Sequence, residues 1–582
     1  MNVLVVLGVV FIAFGLASRF YSRYIARILG EDRANPTPAV KSCDGRDYVP
    51  TKTYIVFAHH FSAISGAGPI LGPTMAILYG FVPAWLWLVL GAIFIGAVHD
   101  FTSLFVSMRE GGKSMAEVAR RTLGNPGFNL FIGFTIVMIV LVTSSFLSAT
   151  AISLTSLWPL AKIGVTEGQT FLKTVVREGV VMGRIGGIAS MSVIVITLCS
   201  PFLGWLLYRK GIKTAYAYLL ALGVCVGSVF LGIAYPVTLS TTTWMVIISV
   251  YVLFAAGVPV WVILQPRDLI NVQILYGGII LMVVSLFATG VDGLSVSIPS
   301  FNLKEGVQNL GFIWPMMFCT IACGAISGFH SLVAGGTTGK QLACETDARR
   351  VGYNAMLLES VLAVCVLLAL GAAMNFGDYK SIVWPSDPAV KSNPILAFSL
   401  AAGHLFNRGL GIPVALGSVF GILLVEGFVV TTLDAAVRLN RYLFEELWAI
   451  LFKQTPKLLR NYWFNSGLSV VLMWILAYSN AFIALWPIFG TANQLLAALV
   501  LLAVSAWLLL RRKKNVFTLI PAVFMITTTV ASLVILMTNY IRSRNYILAF
   551  ADALLMILSG GAIWLFLKTF LRPRVSPRPG SA

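Results

Sequence analysis

Apolar stretches of about twenty residues, each long enough to cross roughly 30 Å of hydrocarbon, follow one another along the whole of this chain. About fifteen can be drawn with a window of that length, at 3–28, 54–79, 83–107, 128–156, 187–208, 214–234, 243–264, 270–290, 311–335, 353–375, 411–433, 464–484, 489–510, 516–538 and 546–569. No connecting segment is long and polar enough to form a domain with its own core. Composition agrees, with 58% of residues hydrophobic and 11% charged, where soluble domains have about 45–50% and about 25%. The sequence predicts an all-α polytopic membrane protein, and it excludes a soluble enzyme, with or without a single anchor.

The net charge of +19 would suit nucleic acid, whose phosphates attract basic surfaces, but the placement of the charge points to topology instead. If the spans alternate, 31 of the 41 Lys and Arg residues fall on one side. Most of them lie in 19–52, 109–121, 209–213, 340–350 and 438–460, in Arg511-Arg512-Lys513-Lys514, and in a tail with Arg572, Arg574 and Arg578. By the positive-inside rule that side is the cytoplasm, which places the amino terminus outside and the carboxyl terminus inside. The expected partner is the lipid bilayer, not nucleic acid. The first span lacks a basic stretch before it and is followed by Arg19, Arg23 and Arg27, so it reads as a retained leader helix and not a signal peptide. The water-facing segments expected are cytoplasmic 30–53 and 434–461 and outer 157–186, 291–310 and 376–410. The seven cysteines suggest no disulfide framework. Cys319 and Cys323 share a helix face and would make a soft metal pair only if His330 approached; the expected reading is packing, with no metal site.

Glycine and proline break the apolar pattern where a plain anchor would not need them. Ser65-Gly66-Ala67-Gly68-Pro69-Ile70-Leu71-Gly72-Pro73 cannot sustain a regular helix. In hydrocarbon, irregular backbone survives only where it is buried in protein or lines a wet cavity. The stretch is therefore a candidate binding site, the alternative being a kink that lets helices approach closely. Five spans on, Ala255-Ala256-Gly257-Val258-Pro259-Val260 interrupts a span that runs in the opposite direction, as an inverted repeat of five helices plus five would require. Half-helices of this kind offer amides to anions and carbonyls to cations. The substrate-binding candidates are Ser65, Gly66, Ala67, Gly68, Gly257 and Pro259. In the eighth helix of that ten-helix count, Ser327 and Ser331 lie four apart on one face. In a LeuT-type arrangement they would serve a coupling cation, and otherwise a packing seam.

Ionisable residues inside a membrane are functional candidates by default, since each costs at least about 2.5–3.5 kcal/mol at mid-bilayer. Here they are His59 and His60 before the first break, His99 and Asp100, His330, Glu359, Glu426 and Asp552. His59 and His60 project about 100° apart, so at most one faces a site. His59, His60, Asp100 and His330, with Ser327 and Ser331, are the proton or ion coupling candidates, histidine because it titrates near neutral pH. Asp434 and Arg438 have the spacing of a helical ion pair. Glu426, just before them, reads as a proton relay or as part of a fixed pair.

Several of these motifs together resemble the carbon starvation protein A family of bacterial and archaeal membrane transporters. They are His59-His60-Phe61 with Gly66-Ala67-Gly68-Pro69; Val258-Pro259-Val260-Trp261 leading to Gln265-Pro266-Arg267-Asp268; and the run from Ile321 to His330. To these add Gly336-Thr337-Thr338-Gly339-Lys340, Asp434-Ala435 with Arg438, and the run from Leu485 to Leu495. His99 stands before Asp100 where the family leads one to expect Gln. The resemblance implies the five-plus-five inverted repeat of the amino acid, polyamine and cation superfamily. On that basis 1–53 would be a leader helix and cytoplasmic loop, 54–242 and 243–433 the two repeats, and 434–582 a cytoplasmic segment, about four accessory helices and the basic tail. It implies a secondary importer in a bacterial or archaeal inner membrane, taking up pyruvate or short peptides with protons, Na⁺ being the other possible coupling ion. No cofactor is expected. The rivals are a membrane metal or haem redox protein using His59, His60, His99 and His330, whose spacing lacks the i,i+3 or i,i+4 pairing of metal-binding helices, and a nutrient sensor without transport.

Overall fold

A computed structural model describes residues 1–44, 48–165, 172–177, 179–259, 261–387 and 390–571; Val260 and the basic tail lie outside the described residues. The chain is mostly helical and multi-pass. Twelve helices are long and apolar enough to cross a membrane, and Thr53–Ile64 with Gly68–Tyr79 add a span bent by 45°. Against the fifteen stretches expected, that makes thirteen at most among the described residues, with the shorter helix Thr241–Gly257 beside them. The segment near 157–186 carries a small antiparallel sheet, in which Val180–Gly183 pairs with both Trp158–Pro159 and Thr174–Arg177.

Burial sorts the helices into centre and rim. Phe482–Leu510 and Arg349–Ala373 have 89% of their apolar windows buried, while Val3–Leu29, Ile185–Tyr208 and Ala215–Ala234 have 28–33%. Phe202, Phe230 and Phe287 face outward from the rim, where a lipid solvent makes exposed rings acceptable.

Two segments expected in water are largely helical, and part of each is buried: 394–406 in the first and one face of 434–444 in the second, whose residues 451–454 are exposed. Within 376–410 the helix Pro394–Leu410 packs tightly on Val414–Leu451. Small residues form the seam: a Cβ added at Gly417 would lie 2.8 Å from Gly403 Cα, and one at Gly421 2.8 Å from Ser399 Cα. His404, Asn407 and Arg408 hide this helix from an apolar-window reading. Within 434–461 the 38-residue helix Val414–Leu451 simply continues, about 57 Å in all at 1.5 Å per residue. Asp434 and Asn440 on it are fully buried.

Candidate functional site

The first broken span leaves its helix at Ser65 and resumes at Gly68. The amide of Gly66 folds back onto the Ile64 carbonyl at 2.7 Å, and Pro69 sits in the first turn of the second half, where its missing N–H is not needed. A second broken span lies at Ile313–Lys340. There Phe318–Ile321 stops at Ala322, whose φ of 45° is unusual for a residue with a side chain, and Phe329–Gly336 carries on.

The two spans meet backbone to backbone. A Cβ at Gly68 would lie 2.5 Å from Cys323 Cβ and one at Gly72 would strike the Ile321 carbonyl, while on the following span, Phe81–Arg109, one at Gly96 would strike the Ala325 carbonyl. Glycine here permits close approach, the packing alternative to a binding role, and in the same stretch it breaks the helix. The helices that follow each break carry a widened, π-type turn, Ala92–Gly96 and Arg349–Tyr353. The Tyr353 hydroxyl in one donates to the Ile93 carbonyl in the other at 3.0 Å.

At this crossing the buried charges converge. Asp100 accepts from His330 Nδ1 on Oδ2 and from His99 Nδ1 on Oδ1, both at 2.7 Å, and all three residues are buried to within 1% exposure. On the far side of the His330 ring, Nε2 lies 3.2 Å from Glu359 Oε2. Glu359 is fully buried, and neither of its oxygens accepts an aligned hydrogen bond. His60 is buried with Nδ1 bonded to Thr338 Oγ1 at 2.9 Å, whereas its neighbour His59 is exposed. Ser65 is fully buried and its hydroxyl has no partner. Next to it, Gly66 faces Thr432 Oγ1, 3.6 Å from an added Cβ.

The second break is occupied by protein. Asn493 accepts the Phe329 amide on Oδ1 at 3.1 Å and the Gly328 amide on its carbonyl at 3.1 Å. Its Nδ2 donates to Ser327 Oγ at 3.1 Å and to Cys323 Sγ at 3.3 Å. Gln494 donates to the Phe318 carbonyl at 2.6 Å and Trp486 to that of Thr320 at 3.0 Å. Ser331 bonds back to the Gly328 carbonyl at 2.7 Å, so Ser327 and Ser331 are turned to different partners and do not converge. His330 is turned to Asp100, away from a Cys319–Cys323 metal pair.

Gly257 and Pro259 lie elsewhere. The carbonyls at the end of Thr241–Gly257 are taken by arginine: Arg438 donates to Ala255 at 2.8 Å and Val258 at 2.5 Å, and Arg441 to Ala256 at 3.1 Å. Trp463 packs over Gly257. Asp434 accordingly does not pair with Arg438. It accepts from the Tyr251 hydroxyl at 2.6 Å and from the buried Arg267 at 3.3 Å. Glu426 accepts from the Ser153 hydroxyl.

These features define a multi-pass membrane protein with two broken helices that meet in its core and a buried cluster of Asp100, His99, His330 and Glu359 where they meet. A family model described as carbon starvation protein CstA matches residues 2–387 and 380–532, and the chain belongs to that family. It is 31% identical to a "Peptide transporter CstA" of Bacillus subtilis, over 88% of this chain and 87% of that one. It is 30% identical to the "Pyruvate/proton symporter BtsT" of Escherichia coli, over 88% of this chain and 79% of that one. Among solved structures, MhsT in complex with L-phenylalanine aligns with a TM-score of 0.45 at 12% identity, over 90% of this chain and 99% of that one.

Proposed function

We propose that the protein is a secondary importer that carries a small carboxylate-bearing nutrient, pyruvate or a short peptide, into the cell together with a proton. The observation that carries this reading is the Asp100–His330 pair, buried at the crossing of two broken spans. A carboxylate and a histidine are retained there against a large desolvation cost. The names of the relatives agree with it. The substrate carboxylate meets the first break at the unpartnered Ser65 hydroxyl and beside Gly66, because the Gly328 and Phe329 amides of the second break already have acceptors on Asn493. The buried His60, His99 and His330 rings are turned to Thr338 and Asp100, which favours proton handling over a shared metal or haem. Protons are the proposed coupling ion.

We further place the inverted repeats by the two breaks. Each first helix is interrupted, at 65 and at 322, and in each unit a widened turn begins 27 residues later, at 92 and at 349. The second unit then opens with the span Ile313–Lys340 and not near 243, while Thr241–Gly257 and Leu264–Val291 lie between the units. The amino terminus is outside and the carboxyl terminus in the cytoplasm of a bacterial inner membrane.

Uptake of labelled pyruvate and of a labelled dipeptide into proteoliposomes, under an inward proton gradient, tests the function. The expected result is accumulation of one of them that collapses with a protonophore and in Asp100→Asn. If neither accumulates with protons or with sodium, the importer reading is wrong.

A further inference from the structure

Glu359 stands outside the residues that the sequence marks for coupling, yet it is where the buried relay ends. Its partner atoms dictate the proton count. With His330 donating a hydrogen bond from Nδ1–H to Asp100, the 3.2 Å between His330 Nε2 and Glu359 Oε2 joins two lone pairs unless one more proton lies between them. A fully buried carboxylate with no aligned hydrogen bond on either oxygen is also a poor place for an uncompensated charge.

We propose that Glu359 is the carrier of the coupling proton, with His330 linking it to Asp100. Loading takes a proton from water on the outer side, forming an O–H bond on Glu359 and a hydrogen bond to His330 Nε2; unloading breaks that O–H bond and returns the proton to water on the inner side, which then separates the carboxylate from the imidazole. The titratable groups facing Glu359 are His330 on the second broken span, Cys323 in its break and Asp100 on Phe81–Arg109. His99 lies behind Asp100, and His60 with its neighbour His59 completes the set. The Ile64 carbonyl, at the edge of the first break, faces the His330 ring. An anionic substrate seated at that break therefore strengthens the hold on the proton, and the two are loaded together. This inference rests on the proton-coupled reading above.

The test uses the full chain in proteoliposomes with an inward gradient of one pH unit and no membrane potential. One proton per substrate then sustains about tenfold accumulation of labelled pyruvate. In Glu359→Gln the accumulation ratio is expected to fall to about one while pyruvate still equilibrates, and Glu359→Asp is expected to recover part of the gradient. Accumulation that stays near tenfold in Glu359→Gln overturns the proposal. A second readout needs no transport: infrared difference spectra of the purified protein, wild type minus Glu359→Gln, over a pH titration. A carboxylic acid C=O band that shifts in D₂O supports Glu359 as a protonated carrier. Its absence at every pH where the protein stays folded overturns it. If wild type accumulates the labelled dipeptide and not pyruvate, the same comparison is made with the dipeptide; if it takes up neither, the functional reading fails in the first arm, and the infrared arm still decides the assignment of Glu359.

Discussion

Glu110, one residue past the helix end Arg109, shows how a single side chain gathers distant parts of the chain. Its Oε1 accepts from Trp507 and Arg511, both at 2.6 Å, and its Oε2 from Arg121 at 2.7 Å. Burial works to raise its pKa, but the bonds from Trp507 and Arg121 and the Arg511 charge outweigh it and hold the carboxyl below its ordinary 4.5. A depressed carboxyl contributes stability above its unfolded pKa and loses it as pH falls through the folded value. Glu110→Gln should therefore destabilise the protein at pH 7 by about 0.5–1 kcal/mol, a small figure because the arginines are half exposed. Thermal unfolding in detergent checks this: the gap between wild type and variant should narrow as pH falls below 4.5 and through the lower folded value, and a gap that does not narrow on acidification would refute the account.

At the scale of elements, Phe482–Leu510 behaves as a strut for the second broken span. It meets carbonyls at the end of one half (Phe318, Thr320) and amides at the start of the other (Gly328, Phe329). Asn493→Ala removes the Phe329 acceptor and the donor to Ser327 and Cys323 in a dry interior. It should cost about 1–3 kcal/mol, read as a lower unfolding midpoint; an unchanged midpoint would show the strut to be dispensable. Which elements were legible from the sequence follows from where their signals lie. The first break announces itself in Gly66, Gly68, Pro69 and Pro73, all local. Asp100 and His330 stand out as ions in apolar runs, but their pairing crosses 230 residues, which no local pattern reveals. Glu359 was visible as an ion without a visible partner. Local spacing misled at Asp434, where Arg438 fits the helical register and Arg267 makes the bond. Asn493 and Gln494 were missed as site residues, although two adjacent amides in an apolar span were the available signal.

For the whole molecule, the orientation drawn from the basic loops has a test built into the chain. Cys43 is exposed, and Cys225, Cys319, Cys323 and Cys365 are buried. With the amino terminus outside, Cys43 faces the cytoplasm. A membrane-impermeant maleimide should spare it in intact cells and label it in inverted vesicles, with Cys43→Ser removing that signal; labelling in intact cells would reverse the topology. The strut between Asn493 and the second break also bears on synthesis. Residues 328 and 329 enter the membrane some 165 positions before their acceptor does. At 5–20 residues per second the ribosome takes roughly 8–33 s to supply it. Throughout that interval the nascent chain holds bare amides at bilayer depth, so the insertion machinery, or water within it, must shelter them until the carboxyl-terminal helices arrive.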